Sequence, residues 1–329
     1  MANWSRDVKR ILVVGGGLIG IRHVEAVQAH AGCVWVGLVD PDASMGADFA
    51  DMKDVVEPVD GVIIATPTHL HSAHGIQAAQ RGWHVLIEKP VADDLQGARR
   101  LETAVKHAKI GSLVGHHRRY HAPVQQLKQV IAEGMIGTVV AANVIWAMRK
   151  PDDYFEGNWR TAGGSPVMIN LVHDIDILRF VIGEISNTAS IRGKGLRGKD
   201  RIESGAIALA FENGATGTIS FADNAATPWG FEAGTGENPN IGTTHQDMMW
   251  IMGTKGAISF PSMTVWSGQH WGNAAQVRPI LVAKNSVPPL TAQLDLFIDV
   301  MNGAPPLIDV ADATRTLEIA LNIEEQLSA

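Results

Sequence analysis

A glycine-rich turn between an apolar segment and a helix-like segment is the feature that most constrains the fold of this chain. Residues 11–14 are apolar, glycines follow at positions 15, 17 and 20, and residues 18–31 have helical character. In such a unit the first glycine permits a tight turn, the second lets phosphate approach the backbone, and the third allows close helix–strand packing. The N–H groups at the helix start bind phosphate. The pattern predicts a dinucleotide-binding turn. The predicted cofactor-binding residues of this turn are Gly15, Gly17, Leu18, Ile19 and Gly20.

An acidic residue follows at the spacing that this turn requires. The second apolar run, residues 34–39, ends on Asp40, twenty positions after Gly20. A carboxylate at the end of a second strand accepts hydrogen bonds from the adenosine ribose hydroxyls and repels a 2′-phosphate. No basic residue occurs in 41–44. The sequence therefore predicts NAD as the cofactor, in preference to NADP.

Length and charge limit the class of protein. A chain of 329 residues suits two domains, which we predict at 1–120 and 121–329. The net charge of −7 and the lack of a long basic run argue against nucleic acid or anionic membrane as partners. The single cysteine, Cys33, excludes an intrachain disulfide. The polar N-terminus contains no signal-peptide core, and no apolar run reaches transmembrane length, so we expect a soluble cytoplasmic protein.

The first 120 residues alternate between strand and helix signals. This alternation predicts an α/β Rossmann domain, with a doubly wound parallel sheet whose ligands bind beyond the carboxyl ends of the strands. Segments 65–69, 88–90 and 116–120 follow predicted strands, and we expect them to share one crevice with the cofactor. The further predicted cofactor contacts are Thr66, Pro67, His69, His71, Glu88, Lys89 and His117.

The second half changes to an α+β pattern. Strands at 206–211 and 215–221 flank an Asn-Gly turn, and strands at 249–252 and 257–260 flank a second turn. We predict an open, mostly antiparallel sheet with helices. One strand face carries only alanines, which is compatible with self-association or with packing of a helix of the same chain. The Gly-rich segment 222–246 suggests a mobile cover over the substrate crevice.

Several motifs together resemble one known family. Glu88-Lys89-Pro90, the glycine turn, residues 65–67 and the His173 to Asp176 helix resemble the Gfo/Idh/MocA oxidoreductases over nearly the whole chain. The resemblance implies a Rossmann domain, then an open antiparallel sheet domain, in a homodimer or homotetramer. It also implies hydride transfer between nicotinamide and a hydroxyl carbon of a sugar, cyclitol or related compound. Where many inositol dehydrogenases have an aspartate, this chain has Ile169, and Asn170 is the neighbouring polar residue.

Two residues are candidates for catalysis. Lys89 follows a predicted strand, where an ammonium group can hydrogen-bond a substrate oxygen and stabilise alkoxide charge. The alternative is a surface pair with Glu88. A histidine side chain generally titrates near neutral pH, so His173 suits a proton acceptor, although a structural histidine is the other interpretation. Helical spacing predicts that Asn170, His173 and Asp174 share a face. The predicted substrate contacts are Lys89, Tyr120, Trp159, Arg160, Asn170, His173 and Asp176.

The predicted function is an NAD-dependent dehydrogenase of a sugar, cyclitol or sugar acid. Two alternatives stay open. One is an enzyme that keeps its cofactor through sugar oxidoreduction, epimerisation or redox-assisted glycoside cleavage, and the other is a non-catalytic dinucleotide-binding sensor. The pairs His71/His74 and His117/His121 have spacings that metal ligands use, but hydride transfer in this family needs no metal and we expect none.

Overall fold

The computed structural model describes residues 8–155, 165–197, 201–268, 276–280 and 287–329, and the chain divides into two compact units. The first unit contains the residues up to His121 together with Val287–Glu318. The second contains Ala122–Ser286 and Ile319–Ala329. The domain boundary predicted at position 120 assigns Val287–Glu318 to the second domain, whereas these residues belong to the first unit. The predicted substrate contacts Trp159 and Arg160 lie outside the described residues.

The first unit is built on a five-stranded parallel sheet in the order β2-β1-β3-β4-β5. The strands are β1 (Lys9–Val14), β2 (Cys33–Val39), β3 (Gly61–Ile64), β4 (His84–Ile87) and β5 (Ser112–Val114). The helices between them are α1 (Leu18–Ala29), α2 (Thr68–Gln80) and α3 (Leu95–Ala108). Strands β3 and β5 are buried along their whole length, as expected of a sheet covered on both faces. The predicted parallel Rossmann sheet is confirmed.

The second unit begins with helix α4 (Ala122–Ala132) and contains an eight-stranded sheet. Its strands are β6 (Val139–Ala147), β7 (Ile185–Arg192), β8 (Ser204–Phe211), β9 (Thr216–Ala222), β10 (Met249–Gly253), β11 (Gly256–Phe260), β12 (Thr264–Ser267) and β13 (Gln276–Pro279). The order is β13-β12-β11-β10-β6-β9-β8-β7, and among the described strand pairs of this sheet only β6–β9 is parallel. The predicted open, mostly antiparallel sheet is therefore confirmed.

The two faces of this sheet differ. On β8, Ile207, Leu209 and Phe211 are buried, whereas Ala206 and Ala208 are exposed. The alternation arises because successive side chains of a strand point to opposite faces. Ala206 and Ala208 are therefore not covered by any helix of the part of the chain that the structure describes.

The other α-helices of the described residues are α5 (Val172–Val181), α6 (Phe231–Thr235), α7 (Pro289–Met301) and α8 (Val310–Ser328), and a π-helical turn, Val167–Leu171, leads into α5. Helix α7 belongs to the first unit, where Leu294, Phe297 and Ile298 join a buried cluster with Ile11 and Val13. The C-terminal segment thus completes the Rossmann core. None of the helices that the structure describes is long and apolar enough to cross a membrane.

The segment 222–246 is packed at its centre. Phe231 of α6 is fully buried and stacks on Phe260 with ring centroids 5.6 Å apart. Trp229 forms a β-bridge with Ala147 at the end of β6. These buried aromatic side chains anchor this part of the segment to the sheet, and the mobile cover over the substrate crevice stays a prediction.

Candidate active site

The glycine turn after β1 has the geometry that a phosphate cradle needs. Gly15 has φ +102°, and a Cβ there would lie 2.6 Å from the carbonyl oxygen of Ala65. A Cβ on Gly20 would lie 1.8 Å from the carbonyl oxygen of Gly15, so α1 approaches the turn closely. A Cβ on Gly17 would meet no atom within 4 Å, and Gly17 caps α1 without any side-chain hydrogen bond. The first N–H groups of α1 therefore lie next to a backbone position with free space around it, and this space can hold a pyrophosphate.

Asp40 is held in a fixed position at the end of β2. Its Oδ2 accepts a hydrogen bond from Gly16 N at 2.7 Å, and its Oδ1 accepts one from Asp42 N at 2.9 Å. The side chain is only partly buried. Each carboxylate oxygen has two lone pairs, so both can still accept from a ribose hydroxyl. The carboxylate is thus tied to the glycine turn and oriented before a ligand arrives.

The predicted contacts that follow β3, β4 and β5 lie at the carboxyl edge of the same parallel sheet. Pro67 and His69 are exposed, while Thr66, Lys89 and His117 are partly buried. The peptide bond between Lys89 and Pro90 is cis. Because β1, β3 and β4 are neighbours in the sheet, Gly15, Thr66 and Lys89 follow adjacent strand ends. This is the edge at which open parallel sheets bind their ligands.

Glu88 forms a buried pair with His23, a contact that was not part of its predicted role in cofactor binding. The residue is 7% exposed, and its Oε1 lies 2.8 Å from Nε2 of His23 on α1. Burial alone would raise the pKa of the Glu88 carboxyl, but the hydrogen bond and charge of His23, with the charges of His117 and Lys89, lower it to about 2. Its Oε2 accepts a hydrogen bond from the backbone N–H of Lys89 at 3.2 Å. Glu88 is therefore an ionised anchor directly beside Lys89.

His71 is also directed into the protein. It is 1% exposed, with Nδ1 2.8 Å from the carbonyl oxygen of Pro90 and Nε2 2.8 Å from that of Thr66. Both nitrogens therefore face backbone acceptors.

Tyr120, predicted as a substrate contact, packs against the apolar core of the first unit and is partly buried.

In the second unit the predicted residues lie on the π-helical turn and on α5. Asn170 is partly buried within the turn, and every residue of α5 is buried. His173 is 5% exposed and Asp176 is 1% exposed. A π-helical turn inside a helix is rare and frequently occurs at functional sites.

Asn170 is the centre of a chain of hydrogen bonds. Lys150 Nζ donates to its Oδ1 at 2.8 Å, and its Nδ2 donates to Glu232 Oε1 at 3.1 Å. The other oxygen of Glu232 accepts from the indole N–H of Trp146 at 3.2 Å. Lys150 Nζ also lies 5.1 Å from the centroid of the Tyr154 ring. These contacts fix the orientation of the amide, which keeps one N–H and one lone pair for a ligand.

Two models of one family match this chain. The NAD-binding Rossmann fold of the GFO/IDH/MocA oxidoreductase family matches residues 9–116, and the GFO/IDH/MocA C-terminal domain matches residues 124–259. The chain belongs to the Gfo/Idh/MocA family. The resemblance inferred from the sequence is confirmed, and the first unit of this Gfo/Idh/MocA protein is its NAD-binding domain.

Individual relatives of this Gfo/Idh/MocA protein support the family assignment. The 1,5-anhydro-D-fructose reductase of Ensifer adhaerens is 31% identical over 222 residues, which cover 60% of this chain and 66% of that protein. An uncharacterised oxidoreductase of Streptococcus pneumoniae is 30% identical over 193 residues, which cover 55% and 52%. The chain thus spans between about half and two thirds of the length of these curated relatives. An oxidoreductase of Agrobacterium radiobacter, crystallised with NAD+, L-tartaric acid and magnesium, has the same fold, with a TM-score of 0.79 at 20% identity over 98% of this chain and 96% of that one.

Sequence reasoning missed His23, Lys150 and Glu232. The signal for His23 was its spacing with Gly20 and Val27, which share the buried face of α1. Lys150 lies just after β6, where polar residues collect at a strand end. Glu232 had no local signal, because its partners Trp146 and Asn170 are more than 60 positions away.

Proposed function

We propose that this protein transfers hydride between NAD and a secondary hydroxyl or carbonyl carbon of a sugar, cyclitol or sugar acid. The observation that carries the proposal is the position of Lys89. It follows β4 at the sheet edge that also carries the glycine turn, and it adjoins a buried carboxylate. A cation at that edge can hydrogen-bond an oxygen on the reacting carbon and stabilise negative charge as it develops.

The residues of the first unit fit NAD. The open backbone at Gly17 and the N-terminus of α1 suit the pyrophosphate, and Asp40 suits the adenosine ribose. When bound, the nicotinamide ring supplies the hydride acceptor. Lys89 holds the substrate oxygen, and His173 accepts the hydroxyl proton as the carbon is oxidised. Asn170, with its amide fixed by Lys150 and Glu232, donates to one substrate hydroxyl and accepts from another.

A spectrophotometric assay tests the proposed function. Purified protein with NAD is incubated with myo-inositol, D-glucose, glucose 6-phosphate and D-glucuronate, and reduced cofactor is followed at 340 nm. We expect turnover with at least one of these compounds. Protein that purifies with nucleotide and interconverts sugars without added NAD would favour the retained-cofactor alternative. Tight NAD binding with no redox change on the whole panel would favour the sensor.

The carboxylate of Asp40 underlies the proposed preference for NAD. We expect Asp40→Ser to raise KM for NAD and to lower the ratio of kcat/KM for NAD over NADP by ~10²-fold, because it removes two ribose acceptors and a like-charge repulsion. Initial rates with each cofactor measure the ratio. Asp42→Ser is the control, since Asp42 is exposed and its carboxylate bonds the N–H of Ser44. A ratio unchanged in Asp40→Ser contradicts the assignment.

We also propose that the open face of the second sheet binds a second copy of this chain. The side chains on this face of β6–β9 carry no charge. They are Ala141, Asn143, Ile145, Asn187, Ala189, Ile191, Ala206, Ala208, Ala210, Thr216, Thr218 and Ser220. Ile191 is 74% exposed. A broad uncharged face of small side chains is suited to close packing on an identical face about a two-fold axis.

Sedimentation analysis tests this surface. We expect the unaltered protein to sediment as a dimer or larger oligomer. Ala208→Arg, at the centre of the face, should convert it to monomer, because the substitution buries an unpaired charge at the interface. Ala31→Arg, an exposed alanine in the turn after α1, should leave the assembly intact. A monomeric unaltered protein, or an oligomer that withstands Ala208→Arg, contradicts the proposal.

A further inference from the structure

Two buried side chains hold the segment that carries Lys89. On one side, Glu88 is fixed by His23 and accepts a hydrogen bond from the Lys89 N–H. On the other side, Nδ1 of His71 contacts the carbonyl oxygen of Pro90 at 2.8 Å. The second contact comes from α2, a helix that follows β3. The segment around Lys89 is thus connected to α1 through Glu88 and His23, and to α2 through His71.

The His71 ring also connects two neighbouring loops. Its Nε2 lies 2.8 Å from the carbonyl oxygen of Thr66, which follows β3, while Pro90 follows β4. A carbonyl oxygen only accepts hydrogen bonds, and a neutral imidazole has a single N–H. The ring therefore satisfies both carbonyls when doubly protonated and one of them when neutral. Burial lowers the pKa of His71, and the two carbonyl contacts with the charges of Glu88 and Asp93 oppose that effect.

We infer that His71 is a positioning residue for Lys89: its Nδ1–H bond to the Pro90 carbonyl sets the path of the chain from which the Lys89 side chain extends. The inference rests on the proposed function of Lys89. This positioning role replaces the cofactor contact predicted for His71 from the sequence, since the ring is 1% exposed and both nitrogens face backbone oxygens. A displacement of about 1 Å at a catalytic group can reduce the rate by ~10²-fold, so a loop contact of this kind has a measurable effect.

Three substitutions at position 71 separate the two contacts. Asn places an amide N–H near the position of Nδ1 and keeps a donor for Pro90. Gln places its N–H near the position of Nε2 and keeps a donor for Thr66. Ala removes both. We expect His71→Asn to retain kcat within about fivefold, and His71→Gln and His71→Ala to lose ~10²-fold in kcat. The Kd for NAD, from isothermal titration, should change less than threefold in all three. His107→Asn, an exposed histidine of α3, is the control.

A second readout does not depend on turnover. The rate at which acetic anhydride labels Lys89, followed by peptide mass spectrometry, reports the accessibility and protonation of its amine, which change when the segment moves. We expect faster labelling of Lys89 in the Gln and Ala variants than in the Asn variant and in the unaltered protein. Equal labelling in all variants, or equal loss of kcat in all three, would overturn the inference. If the unaltered protein shows no turnover, the proposed function fails, and the labelling rates alone decide the role of His71.

Discussion

Lys89→Met should reduce kcat/KM for the oxidised polyol by about 10³-fold while leaving the Kd for NAD nearly unchanged. The substitution removes a hydrogen-bond donor to the developing alkoxide and a positive charge beside the reacting oxygen. Such groups together contribute ~10²–10⁴-fold to the rate in enzymes. Met keeps the length and the apolar stem of lysine, so the neighbouring backbone keeps its packing. Steady-state kinetics and isothermal titration with NAD measure the two quantities separately.

The matched control is Lys106→Met, because Lys106 lies in the last turn of α3 and is exposed. It should retain full activity. If turnover survives in the Lys89 variant at more than a tenth of the original rate, Lys89 has no direct part in the reaction. A loss of NAD binding in the same variant would instead identify Lys89 as a cofactor ligand.

His23→Leu should destabilise the protein by about 3–5 kcal/mol, the usual cost of removing one partner of a buried ion pair. The substitution leaves the Glu88 carboxylate buried without its nearest partner. Chemical denaturation followed by circular dichroism measures the free energy of unfolding. Adding Glu88→Met to His23→Leu should recover most of the loss, since two apolar side chains can replace a buried pair.

The sign of the pH dependence follows from the lowered pKa of Glu88. In the unaltered protein its contribution to stability is complete above the ordinary carboxyl pKa of 4.5 and is lost as the pH falls through about 2. In His23→Leu, burial raises the pKa of Glu88, so the stability difference between the two proteins should narrow as the pH falls from 7 toward 4.5. A difference that stays constant over this range, or a loss below about 1 kcal/mol, contradicts the account.

The sequence predicted those parts of the fold that local signals determine. The dinucleotide-binding turn is identified by Gly15, Gly17 and Gly20 together with the Asp40 carboxylate. Each glycine meets a steric requirement that its immediate neighbours set. The Asn-Gly turn between β8 and β9 likewise fixed the register of one hairpin. The helical character predicted for residues 18–31 located α1 within two residues of its observed ends.

Long-range pairing was not predictable in this way. The parallel β6–β9 pair joins strands about 75 positions apart, and nothing in either strand specifies its partner's direction. Helix α7 has an ordinary amphipathic pattern, yet it completes the core of the first unit from the far end of the chain. The His23–Glu88 pair spans 65 positions, so no local signal showed it. Glu88 was therefore assigned to cofactor binding, although its side chain pairs with a histidine of α1. Glu232 lay in a glycine-rich segment whose buried centre had no periodic signal.

The destination of the hydrogen removed from the substrate carbon tests the central claim most directly. The protein is incubated with NAD and with C-deuterated myo-inositol, D-glucose or D-glucuronate. It is then denatured, and the nucleotide is analysed by mass spectrometry, so that both released and retained cofactor are counted. The account predicts reduced nucleotide carrying one deuterium from at least one of these compounds. Oxidised nucleotide alone, or reduced nucleotide without deuterium, would contradict it.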